Sequence, residues 1–254
     1  MTVRDKVALV TGGGSGIGAG IARVLAAAGA RVAVADLNED AAAAVAAGLP
    51  GLGVHLDVTD RASTDVAVTR VEQALGPVDV LVNNAGISIV APFTDITDPD
   101  WDRLLNVNLR GVLIVTQRVL PSMLKRRSGR IINISSMAGK EGLPNLACYC
   151  ATKFGVIGLT QALAREVADR DVTVNAVCPG VVRTPLWDDP DTRDPARAGW
   201  GERLAGFPGR DPARPPAVRR GHRARLRLPG LGRGRQHHRR GAQRKRRPAN
   251  ALTR

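Results

Sequence analysis

The sequence predicts an α/β fold, a doubly wound parallel sheet in one domain over residues 1–206, followed by a basic Arg/Pro/Gly-rich tail over residues 207–254. Three observations carry this. Short runs rich in Val, Ile and Ala alternate with segments of helical period, a glycine-rich turn joins the first such run to the first helical segment, and the alternation stops near Gly206. Strands that are apolar throughout are buried on both faces, and a helix after each strand supplies the crossover that parallel neighbours need.

In chain order the pattern predicts strand Lys6–Val10, helix Ile17–Ala28, strand Arg31–Ala35 and helix Glu39–Ala47. It continues with strand Gly53–Leu56, helix Ala62–Leu75, strand Val78–Val82 and helix Trp101–Lys125. Strand Arg130–Ile134, helix Cys148–Ala168 and strand Val172–Val177 complete it. In such a sheet, ligands sit at the carboxyl ends of the strands.

The formal charge of +14 invites a nucleic-acid reading until its position is considered. From Phe207 onward there are sixteen basic residues against the single acid Asp211, whereas residues 1–206 hold 21 basic and 22 acidic residues. The domain is therefore nearly neutral and the charge belongs to the tail. That tail offers little apolar area to offset the entropy of ordering it, so it is expected to be disordered. With Phe207 as its one aromatic it lacks stacking platforms, so no specific nucleic-acid partner is expected. The three cysteines, Cys148, Cys150 and Cys178, form neither a disulfide framework nor a paired metal-binding spacing, and no metal site is expected. No run of 18 apolar residues and no leader-like segment is present, which predicts a soluble, cytoplasmic protein without a membrane partner.

The first strand runs into Thr11-Gly12-Gly13-Gly14-Ser15-Gly16-Ile17-Gly18 and then directly into a helix. Glycines let the backbone approach a pyrophosphate closely, and the helix start presents free N–H groups and a positive dipole end. Asp36 ends the second strand, where the ribose of a bound dinucleotide would lie. A carboxylate there accepts from ribose hydroxyls and repels a 2′-phosphate, and the turn offers no Arg or Lys to receive one, so NAD is expected over NADP. The same Asp36 could instead cap the helix beginning near Glu39.

Tyr149 is the sole tyrosine, and Lys153 follows it by four residues on a helix, so both leave the same face. An ammonium beside a phenol favours the phenolate, which predicts a Tyr149 pKa drawn down towards neutrality. That would suit Tyr149 to general acid and base work. Ser136, just past the strand ending at Ile134, can bind a substrate oxygen. Taken alone, Tyr-x-x-x-Lys is a common spacing for surface residues.

In company it is specific. TGGGSGIG, NNAG at Asn83–Gly86, NVNLRG around Asn108, ISS ending at Ser136, YCATK from Tyr149 to Lys153, and Pro179-Gly180 resemble the short-chain dehydrogenase/reductase family in order and separation. The likeness runs from residue 3 to about Trp187 and is loosely nearest the 3-oxoacyl reductase-like and polyol dehydrogenase-like branch. It implies a Rossmann fold and a dehydrogenase moving hydride between NAD and a secondary alcohol or ketone. Tyr149 would then transfer the proton, Lys153 would hold the nicotinamide ribose and depress the tyrosine, Ser136 would orient the carbonyl, and Asn108 would hold a water linking Lys153 to solvent. Gly12, Ser15, Gly16, Ile17 and Gly18 would line the pyrophosphate end. Asp36 and Leu37 would meet the ribose end, Asp57 and Val58 the adenine, and Asn84, Ala85 and Gly86 the ribose. Pro179, Gly180, Val182 and Thr184 would border the nicotinamide amide. Asn83 and Asn84 could also simply cap strand-end backbone.

The resemblance further implies a homo-oligomer, a dimer more securely than a tetramer, with the Trp101 and Cys148 helices at one interface. Ser88–Phe93 and Met137–Asn145 are expected to line the substrate pocket. The family's substrate-covering helices and last strand have no counterpart after the Thr184 region, and from around Gly209 the Arg, Pro and Gly tail resembles a GC-rich gene read in a shifted frame. That raises a rival expectation of a cofactor-binding but catalytically impaired protein.

Overall fold

The computed structural model describes residues 2–180, 182 and 184, all within the first of two compact units, Met1–Pro208. The predicted boundary after residue 206, the tail over 207–254 and the missing last strand lie outside the described residues. The described chain forms strands β1 (Val7–Thr11), β2 (Arg31–Asp36), β3 (Gly51–His55), β4 (Val80–Asn83), β5 (Gly129–Ile134) and β6 (Val172–Val177). They make one parallel six-stranded sheet in the order β3-β2-β1-β4-β5-β6. Helices α1 (Gly16–Ala27), α2 (Glu39–Ala46), α3 (Arg61–Leu75), α4 (Asp98–Leu105), α5 (Gly111–Arg126) and α6 (Ala147–Glu166) connect them. The strand order reverses between β1 and β4, which opens a crevice at their carboxyl ends.

Two-residue periodicity divides the core between the faces. Val7, Leu9, Leu81 and Ile131 pack with α3 and α5 through Ala67, Val68, Val71, Val115, Val119 and Met123. Ala8, Val10, Val80 and Val82 pack with Ala22 of α1 and Ala42 and Ala46 of α2. Every residue of β1 is buried, as a central strand covered on both sides must be.

Boundaries shift by a few residues, and one shift is instructive. The single helix expected over Trp101–Lys125 starts earlier, at Asp98, because Thr97 and Asp100 form a reciprocal capping box with Pro99 in the first turn. It then passes through a π-helical segment, Asn106–Arg110, before α5 begins. The Asp36 alternative also resolves: α2 is capped by Asn38, whose side chain accepts from the Ala41 N–H at 3.0 Å.

Candidate active site

At the carboxyl end of β1 the glycine turn is held by side chains at the ends of β2 and β4. Asp36 accepts from the Gly14 N–H at 2.9 Å and from the Asn38 N–H at 3.0 Å. Asn84 donates its amide to the carbonyls of Thr11 (3.0 Å) and Gly12 (2.9 Å), and the Thr11 hydroxyl accepts from the Asn84 N–H at 3.0 Å. Asn84 is thus more than a strand-end cap, since it clamps the turn. Gly12 sits at φ +60°, and a Cβ there would come within 2.8 Å of the Ala85 Cα. At Gly18 a Cβ would meet the Gly12 carbonyl oxygen at 2.1 Å, so this glycine permits the turn to pack on α1.

The turn opens on a cavity of about 420 Å³. Of the expected residues, Gly12, Ser15, Gly16, Ile17, Asp36, Leu37, Asp57, Val58, Asn84, Ala85 and Gly86 line it. So do Ser136, Tyr149, Lys153, Pro179, Gly180, Val182 and Thr184. Gly18 and Asn108 are absent from that wall. Leu56, Ile87, Arg103, Val107, Ile134 and Ser135 line it without having been anticipated. Ile134 and Ser135 precede Ser136 directly, and Val107 precedes Asn108, so neighbours of the motif residues were the available signal. Arg103 lies one helical turn before Val107, which only the helix position reveals.

Tyr149 and Lys153 do share one face of α6. The lysine Nζ stands 5.5 Å from the centre of the phenol ring and donates to the Ile134 carbonyl at 3.1 Å. Tyr149 shares a hydrogen bond with the Ser136 side chain, and the Ser136 hydroxyl accepts from the Ala138 N–H at 3.1 Å. Both ionisable side chains are 4 % exposed, and burial decides their proton affinities. It pushes Tyr149 up to about 12 against the lowering effect of Ser136, and it pushes Lys153 down to about 8 against the raising effect of Cys178. The expectation of a phenol drawn towards neutrality by Lys153 is therefore corrected: burial penalises the phenolate more than the hydrogen bond with Ser136 favours it.

The Asn108 side chain is bonded to the protein on both sides. Its Oδ1 accepts from the Ile87 N–H at 2.8 Å, and its Nδ2 donates to the Ile87 carbonyl at 2.9 Å and to the Thr152 hydroxyl at 3.2 Å. Both amide protons are committed, so this side chain is a brace between the π-helical segment, the loop after β4 and α6. Nor do Ser88–Phe93 and Met137–Asn145 appear in the wall of this cavity. Ile89, Val90, Ala138 and Leu146 instead form a buried cluster with Leu104, Cys148, Tyr149 and Cys150 that supports the tyrosine from behind.

Among the described residues no helix is long and apolar enough to cross a membrane. A family model described as short chain dehydrogenase matches residues 6–194. The 3-oxoacyl-[acyl-carrier-protein] reductase FabG of Thermotoga maritima is 45% identical over 191 residues, covering 73% of this chain and 78% of the relative. The D-threitol dehydrogenase of Mycolicibacterium smegmatis is 44% identical over 194 residues, covering 73% and 75%. Among solved structures, the apo form of LigO from Sphingobium sp. strain SYK-6 superposes with a TM-score of 0.68 at 39% identity, covering 70% of this chain and 68% of the other. Levodione reductase does so with a TM-score of 0.70 at 35% identity, covering 72% and 74%.

Proposed function

The chain belongs to the short-chain dehydrogenase family of oxidoreductases, and from that premise we propose that it is an NAD-dependent enzyme interconverting a secondary alcohol and a ketone through Tyr149, Lys153, Ser136 and Asn108. The observation that carries this reading is the convergence of Tyr149, Lys153 and Ser136 on the same cavity as the glycine turn. The turn fits a dinucleotide pyrophosphate, because Gly12 and Gly18 let the backbone turn tightly where a Cβ would collide with protein atoms, and the start of α1 offers its dipole. Asp36, fixed by two backbone N–H groups, keeps acceptor capacity for ribose hydroxyls and opposes a 2′-phosphate, which favours NAD over NADP.

Bound nicotinamide supplies the hydride acceptor or donor. Ser136 orients the substrate oxygen and Tyr149 exchanges a proton with it. With Tyr149 at about 12 and Lys153 at about 8, the neutral-pH resting state is a protonated phenol beside a lysine cation. That is the form of a general acid, ready to protonate the oxygen of a ketone under reduction. Oxidation requires the phenolate and is favoured as pH rises. The partner is a small-molecule alcohol or ketone, the assembly a homo-oligomer with the dimer as its first stage, and the compartment the cytoplasm.

The experiment is a panel of 3-oxoacyl thioesters, keto sugars and cyclic ketones with NADH and NADPH, followed at the nicotinamide absorbance. Consumption of NADH with at least one ketone supports the reading. Consumption of neither cofactor across the panel, with NADH bound, overturns it in favour of a non-catalytic binding protein.

A further inference from the structure

Three consecutive residues at the end of β5 each reach α6. The Ile134 carbonyl accepts from the Lys153 ammonium at 3.1 Å, and the Ser136 side chain shares a hydrogen bond with Tyr149. Between them Ser135, 3% exposed, donates its hydroxyl to the main-chain carbonyl of Lys153 at 2.9 Å. The first two contacts hold reacting groups. The third takes no part in proton exchange, since the one proton of the hydroxyl is committed to a carbonyl.

That bond fixes something its neighbours do not. The Ser135 N–H donates to the Val177 carbonyl at 2.8 Å and the Met137 N–H to the Pro179 carbonyl at 2.9 Å, which ties the strand end sideways to the end of β6. Asn133 donates to the Thr160 hydroxyl at 2.9 Å, side chain to side chain and about two helical turns beyond Lys153. The link from Lys153 to Ile134 hangs on a flexible four-carbon stem. Among the described residues only the short Ser135 side chain joins this strand end to the main chain of α6. It therefore sets the distance from β5 to the helix turn that carries Tyr149, four residues before Lys153. Lys153 lies inside α6, where its carbonyl already has a helical donor, so the bond is a cross-link and does not rescue an orphan acceptor. Packing also reserves room for it. A Cβ on Gly139 would come within 2.5 Å of Ser135 Oγ and 2.8 Å of the Lys153 oxygen, the two atoms of the bond, and would wedge them apart.

We propose that Ser135 is a positioning residue: its bond to the Lys153 carbonyl, in the space left by Gly139, sets the separation at which Ser136 meets Tyr149. The proposal deepens the dehydrogenase reading and rests on it for the consequence in turnover. Loss of the bond lets α6 and the strand end part, and the contact between the seryl hydroxyl and the phenol lengthens. The step that needs both groups then slows, while the cradle around β1 and β2 keeps its shape.

Two variants break the bond from opposite sides: Ser135→Ala removes the donor and Gly139→Ala inserts the wedge. Each should lower kcat for ketone reduction about tenfold and leave NADH affinity and ketone KM within about twofold. The two combined should cost no more than either alone, and adding Ser135→Ala to Ser136→Ala should cost less than about twofold further. An unchanged kcat in either folded variant overturns the proposal, as does full additivity in either double variant. NADH affinity that falls in step with kcat also overturns it, and would make Ser135 a cofactor contact of the cavity wall. Should one variant fail to fold, the other decides. A readout independent of turnover uses the sole tyrosine: 3-fluorotyrosine at Tyr149 gives one ¹⁹F signal that reports ionisation of the phenol. The Ser136 hydrogen bond lowers the Tyr149 pKa, so weakening that contact in Ser135→Ala should move the midpoint up by about half a pH unit, with no further move when Ser136→Ala is already present. Lys153 and Cys150, which also act on the ring, keep their side chains in these proteins. A wild type that consumes no NADH with any ketone defeats the dehydrogenase reading and leaves this titration to judge Ser135, whose role an unmoved midpoint overturns.

Discussion

The two halves of the cavity are built from different materials. Around β1, β2 and β3 the wall is mostly backbone: a tight glycine turn, the start of α1, and Asp36 and Asn84 holding the turn through N–H and C=O groups. Around β4, β5 and α6 the wall is side chain, with Tyr149 and Lys153 buried in it and the Lys153 ammonium bonded to the Ile134 carbonyl. The first half is specified locally, so it tolerates little change in shape but imposes little electrostatic demand. The second half keeps ionisable groups dry, so its behaviour depends on every neighbour that shields or compensates them. Substitutions in the first should therefore appear in cofactor affinity, and substitutions in the second in turnover and pH dependence.

The largest separation of the two should come from Tyr149→Phe. The ring would remain packed among Leu104, Ile89 and Leu146, so the fold and NADH binding should persist within about twofold while turnover falls about a thousandfold or more, as expected for loss of the proton-transferring group. Stopped-flow NADH binding beside steady-state ketone reduction reads both. A comparable loss of NADH affinity would mean that the two halves are not separable.

Lys153 sharpens the contrast through stability. Its folded pKa of about 8 lies below its ordinary value of 10.5, so between those limits the unfolded chain binds more protons and stability should rise with pH. Below pH 8 the cost of the buried cation is fully present. Relative to Lys153→Met, the wild type should gain on the order of 3 kcal/mol between pH 7.5 and 10.5. Urea unfolding at both values measures it, and a flat difference would show that the ammonium is already compensated at its site.

Asp36→Ala is the smaller effect and belongs to the other half. Losing the ribose acceptor and the bond to Gly14 should weaken NAD binding about tenfold, equivalent to about 1.4 kcal/mol, while NADP binding holds or improves. Calorimetric titration with both dinucleotides decides it. An equal loss for both cofactors would assign Asp36 to shaping the turn alone.

Sequence reading reached these halves unevenly. All six strands, the glycine turn, Asp36 and the Tyr149 to Lys153 spacing were legible because each is encoded in a few consecutive residues: continuous apolar runs, φ-permissive glycines, one helical turn. The capping box at Thr97–Asp100 was legible too and went unused. The π-helical segment at Asn106–Arg110 was not, since no local propensity distinguishes it from the helix on either side. Arg103, Ile134 and Ser135 reached the cavity wall only through packing.

By itself the sequence determined which residues alternate into the sheet, where the backbone can turn tightly and which chemical groups stand at the strand ends, because those properties belong to single residues and their nearest neighbours. The tertiary structure alone decided the state of those groups. Burial raised Tyr149 and lowered Lys153, and the surrounding bonds made the Asn108 side chain a brace between three segments. Desolvation and hydrogen-bond commitment are properties of an assembled environment, set by what surrounds an atom from every side, and no spacing along the chain specifies them.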